Sequence, residues 1–201
     1  MADTRTLSQF KAKLAGGAAR ANLFEVSIPT FPSSIQGAWG PGDDAENGIF
    51  KFLCKSANLP ASNIGSIDIP FRGRILKVAG DRTFENWTVT VINDQDFGHY
   101  RAFQAWAQNI AQYGDSSGLT DPSSYMGNAT VYQLGRNASS QQGTNSPATD
   151  SNILAQYKFV DIFPTTIAAI DLSYDTTDTI EEFTVDFQVQ YWYPEAAGSG
   201  A

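Results

Sequence analysis

From Thr179 to Tyr193 the chain alternates between apolar and polar residues. Phe183, Val185, Phe187, Val189 and Tyr191 fall on one side of the pattern, and Glu182, Thr184, Asp186, Gln188 and Gln190 on the other. Successive side chains of an extended backbone point to opposite faces. The segment therefore predicts a long strand with one face in a core and one face wet. Such a strand needs hydrogen-bonding neighbours along its edges and a packed layer against its aromatic face, so it commits the chain to a sheet.

The same period recurs. In Phe84–Ile92, Trp87, Val89 and Val91 face one way and Asn86, Thr88 and Thr90 the other. Ile153–Phe163 sets Ile153, Ala155, Tyr157 and Phe159 against Gln156 and Lys158, up to a break at Pro164. Shorter strands are predicted at Asn22–Ile28, closed by Pro29 and Pro32, and at Ile49–Lys55, Ala129–Leu134 and Ile167–Leu172. Asn63–Pro70 and Arg74–Ala79 read as a hairpin turning at Arg72-Gly73, with Pro70 marking an edge or a bend. One helix is predicted over Asp96–Tyr113, with an apolar stripe of Tyr100, Phe103, Ala107 and Ile110, a cap at Asp94 or Asp96, and a stop at Gly114. Residues 1–19 form an N-terminal arm in which Leu7, Phe10 and Leu14 suit a short amphipathic helix that needs a surface to dock on. Residues 31–48 and 115–151 are long loops, and 194–201 a C-terminal tail. The expected fold is mainly β, an antiparallel sheet with one packed helix, in a single domain over residues 20–193.

Composition adds a surface property. Charged residues make up 17% of the 201, against about 25% in an average soluble domain. Ser, Thr, Asn and Gln take their place, which suits a surface that meets other protein. The net charge of −8 is polarised: residues 1–82 carry 10 Lys/Arg and 7 Asp/Glu, while residues 83–201 carry 3 and 14. An acidic chain with few cations does not displace the counterions of a phosphate backbone, which argues against sequence-specific nucleic-acid binding. The polarity does suit head-to-tail stacking of copies. The single Cys54 can form no internal disulfide and, with no recognisable leader, points to a reducing compartment. No apolar run reaches the length of a membrane span, so no stable membrane association is expected.

A catalytic constellation is not apparent. His99 opens a helix, and Cys54 falls on the core face of a strand, where a free thiol behaves as a small hydrophobe. Glu181 and Glu182 are adjacent in a strand and point apart, unlike a glycosidase pair. Asp171, Asp175, Asp178 and Glu182 lack the glycine and the spacing of a calcium loop, and read as a solvated turn or a contact between subunits. No nucleotide-binding glycine pattern or zinc-ligand spacing occurs. No enzyme activity and no cofactor are expected. The polar faces at Thr88/Thr90, Gln156/Lys158 and Thr184–Gln190 admit two readings: a solvent-facing sheet with blunted edges, or a sheet that neighbouring copies continue into a closed ring.

Several segments resemble a known family. They are Ala19-Arg20-Ala21-Asn22-Leu23-Phe24-Glu25-Val26, Phe52-Leu53-Cys54-Lys55-Ser56-Ala57-Asn58-Leu59-Pro60, the run Lys77–Asp94 (KVAGDRTFENWTVTVIND), and Phe163-Pro164-Thr165 to Asp171 followed by Ile180 to Trp192. Together, and in this order, they resemble the tail tube proteins of contractile-tailed, T-even-type bacteriophages. The enlarged loops 31–48 and 115–151 depart from the compact family pattern. The resemblance implies a sandwich-like or barrel-like subunit whose inner sheet continues across hexameric rings. The rings stack into a tube within a sheath, and the tube conducts DNA into the host. The partners it implies are other copies, sheath, baseplate and tail-terminator proteins, and DNA as a passing cargo. The location it implies is the virion tail, assembled in the host cytoplasm. It also implies particular surfaces. Thr88, Thr90, Thr184, Asp186, Gln188 and Gln190 are expected to line the lumen. Arg72, Arg74 and Lys77 are expected to meet Asp171, Asp175 and Asp178 of the next ring. Gly80, Asp81, Arg82 and Thr83 are expected to form a structured turn. Other readings are the tube of a related bacteriocin or type VI-like injection system, a carbohydrate-binding sandwich using Trp39 or Trp192, and a two-acid hydrolase.

Overall fold

The alternating segments become strands that pair antiparallel throughout. The computed structural model describes residues 7–13, 19–30, 53–115, 117–135, 153–175 and 177–195. In chain order the strands are β1 (Phe24–Thr30), β2 (Cys54–Ala57), β3 (Ser62–Phe71), β4 (Arg74–Phe84), β5 (Trp87–Ile92), β6 (Gly127–Leu134), β7 (Ile153–Ile167), β8 (Glu182–Gln188) and β9 (Tyr191–Glu195). The helices are α1 (Leu7–Lys13), α2 (Gly98–Ile110) and α3 (Pro122–Tyr125). The main sheet has the order β1-β6-β7-β8-β5-β2, with β9 also pairing β7, and β3 and β4 form a separate hairpin. The sheet's two end strands, β1 and β2, approach each other without pairing, so it does not close into a barrel within the subunit.

β7 organises this sheet. Its first half lies between β6 and β9, and its second half pairs with β8. The long strand predicted over Thr179–Tyr193 is therefore two strands, interrupted at Val189 and Gln190. Phe163 faces Gln188 and Val160 faces Tyr191, so β8 and β9 follow β7 in one register across the gap. Opposite the gap, Asp161 has a left-handed φ of 53°. Both strands change side there together: β7 buries Phe159 and then Ile162, and the partner strand buries Val189 and then turns Trp192 inward. Tyr191, expected in the core, is exposed as a result. Pro164 does not end β7; it sits at a register shift against Phe187, where a missing N–H is tolerated. β7 stops at Ile167, and no strand covers 168–172.

The core fills the space between the halves of the sheet. Trp87 stacks on Phe159 with centroids 4.7 Å apart and lies 5.3 Å from Phe187. Phe103 and Trp106 of α2 close over Phe183 and Phe187. The helix differs from expectation in extent and face. It begins at Gly98 because Phe97 takes a left-handed φ of 52°, and no side chain caps it. The Asp94 carboxylate instead accepts the Gln95 N–H, and its carbonyl the Phe97 N–H, within the preceding turn. Trp106, outside the expected stripe, is buried with its indole N–H donated to the Tyr125 carbonyl at 2.7 Å. Tyr100, Ala107 and Ile110 are only half-buried, whereas His99 is buried. The predicted strand Phe84–Ile92 is also two, because the chain leaves the hairpin at Phe84 and joins the sheet at Trp87. Within the long stretch 115–151, β6 realises the strand expected over Ala129–Leu134, and α3 is an element that sequence patterning did not predict; loop 31–48 and Trp39 lie outside the described residues.

Candidate functional site

Two surfaces carry the sequence-predicted residues. The first is the outer face of β5 and β8. Register pairs Thr88 with Asp186 and Thr90 with Thr184. The Thr88 hydroxyl donates to an Asp186 carboxylate oxygen at 2.6 Å, and the Thr90 and Thr184 hydroxyls lie 3.5 Å apart. Gln188 continues this face, half-buried like its neighbours. Gln190 does not, because it occupies the bend after β8. At the far end Lys55 of β2 pairs with Glu182 of β8. The face is thus a ladder of short hydroxyl and amide side chains carrying Asp186 and one ion pair. Thr88 sits directly opposite Asp186, and Thr90 opposite Thr184, because the antiparallel register of β5 and β8 places them there.

The second surface is the β3–β4 hairpin. Its tip turns at Arg72 (φ 44°) and Gly73 (φ 79°), the pair of left-handed residues that a tight two-residue turn requires. Every β3 side chain is exposed. The register sets Ile67 against Val78, Ile69 against Leu76, and Phe71 against Arg74 on one face. On the opposite face Lys77 pairs with Asp68 at 2.8 Å. Arg72 lies over the Phe71 ring at 5.4 Å. Gly80, Asp81, Arg82 and Thr83 form no turn. They belong to β4, where a register shift between Ile64 and Ser66 accommodates an extra residue. A Cβ at Gly80 would make a tight contact, 3.3 Å from the Gly65 backbone across the ladder. The hairpin base is tied to the body through Asn63, whose amide donates to Glu85 at 2.7 Å, and Asn58, whose side chain accepts the Thr88 N–H at 2.8 Å.

Asp171, Asp175 and Asp178 lie on the exposed segment between β7 and β8. None of the ion pairs among the described residues joins them to Arg72, Arg74 or Lys77. This segment and the start of β8 enclose a cleft of about 380 Å³ lined by Ile170, Asp171, Leu172, Ile180, Glu181 and their neighbours. Sequence reading missed both the cleft and the apolar hairpin face. The second was recoverable: folding Ser62–Phe84 about Arg72-Gly73 aligns Ile67, Ile69, Leu76 and Val78 on one side.

The remaining candidates fall outside any chemistry. Burial pushes the Cys54 thiol up to about 12, and it contacts the Ser56 carbonyl at 3.6 Å, so it is no nucleophile near neutrality. Among the described residues no group of three His, Cys, Asp or Glu is placed to hold a metal ion, and no helix is long and apolar enough to cross a membrane. Trp192 packs against Phe84, Tyr157 and Phe159 and is not an exposed sugar platform.

The family model of phage tail tube proteins matches residues 19–195, the span that carries the sheet, the helix α2 and the hairpin. The chain belongs to this family. Tail tube protein gp19 of Enterobacteria phage T4 is 29% identical over 177 residues, covering 88% of this chain and 92% of that one. A tail tube protein of Serratia phage KSP90 is 24% identical over 185 residues, covering 91% and 93%. Among solved structures, a chain of the sheath–tube complex of PVC, an extracellular contractile injection system in its extended state, has the same fold at a TM-score of 0.54 and 14% identity, over 95% of this chain and 98% of that one. The resemblance read from the strand segments is borne out, and so is the mainly antiparallel fold.

Proposed function

We propose that this chain is the structural subunit of a phage tail tube, built as hexameric rings stacked into a hollow conduit for the genome. It works in the virion tail without catalysis. The observation that carries this reading is the combination of family membership with a sheet left open at β1 and β2. Bare strand edges are an aggregation hazard unless another chain pairs with them, and a closed ring of copies removes every edge. The polar face of β5 and β8 becomes the lumen wall, with Thr88, Thr90, Thr184, Asp186 and Gln188 as its lining. A wall of hydroxyls, amides and a carboxylate, whose one cation, Lys55, is held by Glu182, offers phosphates little to stop at, so DNA slides. Gln190 stands at the margin of this wall. The hairpin and the acidic 171–178 segment supply ring-to-ring contacts, with Arg72 and Arg74 free of the Asp68 pairing that occupies Lys77. Sheath, baseplate and terminator proteins are the expected partners.

Electron microscopy of the purified protein tests the assembly directly. Rings or tubes are expected, and a monomer at all concentrations would sink the proposal. The lumen assignment is tested by Asp186→Lys with Gln188→Lys. Tubes should form while infectivity falls, and unimpaired genome ejection would remove these residues from the wall. A tube of a related injection system would show the same assembly but no dependence of DNA delivery on this wall.

A further inference from the structure

The β3–β4 hairpin presents an apolar face that nothing among the described residues covers. Phe71 is 67% exposed, and Ile67, Ile69, Leu76 and Val78 are exposed beside it. A two-stranded hairpin is marginal in water unless a face is covered. The same chain carries a second uncovered apolar feature. In the cleft between 169–173 and 179–182, Leu172 is 81% exposed and Ile180 70%, and the rim carries Asp171 and Glu181. The hairpin tip bears Arg72 and Arg74 next to Phe71, so apolar matches apolar and cation matches carboxylate.

We infer that Phe71 of one copy seats in the Ile170/Leu172/Ile180 cleft of a copy in the next ring, with Arg72 and Arg74 meeting the acidic rim. The inference rests on the stacked-ring reading above and adds to it the receiving site and the nature of the anchor. The seat is apolar, and the charges only orient it. Two different patches on one chain make a head-to-tail contact, which propagates without closing. The apolar anchor also means that added salt weakens stacking only modestly, since screening acts on the exposed charge pairs and not on the buried aromatic.

Phe71→Glu and Leu172→Glu test this as a pair. Both sites are exposed in the subunit, so both variants should keep the wild-type circular dichroism and ring formation. Each alone should stop at single rings. Mixed, they share one intact hairpin and one intact cleft, and should give paired rings and nothing longer. Leu172→Glu rings that stack as far as wild type, or a mixture that gives no pairs, would overturn the inference while leaving the tube reading intact. Wild-type protein that forms no rings would instead overturn the tube reading. Should a charged variant misfold, the double variant Phe71→Cys with Ile180→Cys serves. Its tubes should yield a ladder of disulfide-linked subunits on oxidation, and tubes without that ladder would overturn the seat.

Discussion

Trp87 and Phe71 are both aromatic residues on antiparallel strands, yet they have opposite surroundings. Trp87 is fully buried, stacked on Phe159 beside Phe187. Phe71 stands at the end of a hairpin whose apolar face is exposed, with nothing among the described residues covering it. The difference shows where this chain completes itself and where it relies on copies. The body has a helix and a second half-sheet to cover its aromatic face. The hairpin has its alternating pattern but no covering layer among the described residues, and in the stacked-ring proposal a second copy supplies it.

The most severe way to probe that contrast is to truncate each aromatic. Trp87→Ala should cost about 3–5 kcal/mol of stability, as large buried aromatics do, whereas Phe71→Ala should stay within about 0.5 kcal/mol in the same urea titration of unassembled protein. A comparable loss at both positions would show that the hairpin packs on the body. Thiol labelling sharpens the comparison. At pH ~8 the Cys54 thiol, with its pKa near 12, should react on the order of 10³-fold more slowly than a cysteine placed at Phe71 with an ordinary pKa of about 8.5, because only thiolate attacks. Equal rates in unassembled protein would mean that Cys54 is not shielded.

A smaller effect is expected on the polar face. Thr88→Val removes the donor to Asp186 and should cost roughly 0.5–1.5 kcal/mol, read as a shift in the unfolding midpoint. The smallest belongs to Lys158, whose pKa is raised chiefly by its hydrogen bond to Glu195. A raised lysine pKa contributes fully below the unfolded value of about 10.5 and is lost as pH rises through the folded value. The stability gap between wild type and Lys158→Met should therefore shrink above pH ~10.5. Because Lys158 is 39% exposed, the gap should stay below ~1 kcal/mol at its largest. A gap that widened with pH would contradict the pairing.

Much of the fold was legible because period-two alternation is a local property. Trp87, Val89 and Val91, and Phe183, Val185 and Phe187, were read as core residues and are buried. The Arg72-Gly73 turn was legible because so few residue pairs suit it. What failed did so at irregularities. The side change at Asp161 and Val189 turned Trp192 inward and Tyr191 out, and no local pattern announces a paired interruption in two distant strands. Phe97 set the start of α2 against two better-suited acidic caps. Gly80 lies in a bulged strand and not in a turn, packed close to Gly65, which is fifteen positions away in sequence and so invisible to a local reading.

The sequence by itself determined which faces are apolar, where the hairpin turns, and that the chain carries a net charge of −8. Those follow from side-chain chemistry and from a period that any extended backbone imposes. Only the tertiary structure decided which apolar faces find cover. Strand order and the shared register of β7 with β8 and β9 bury Trp87 against Phe159 and Phe187, while among the described residues nothing covers the hairpin face or the Leu172 cleft, because burial depends on what the chain can bring within contact distance.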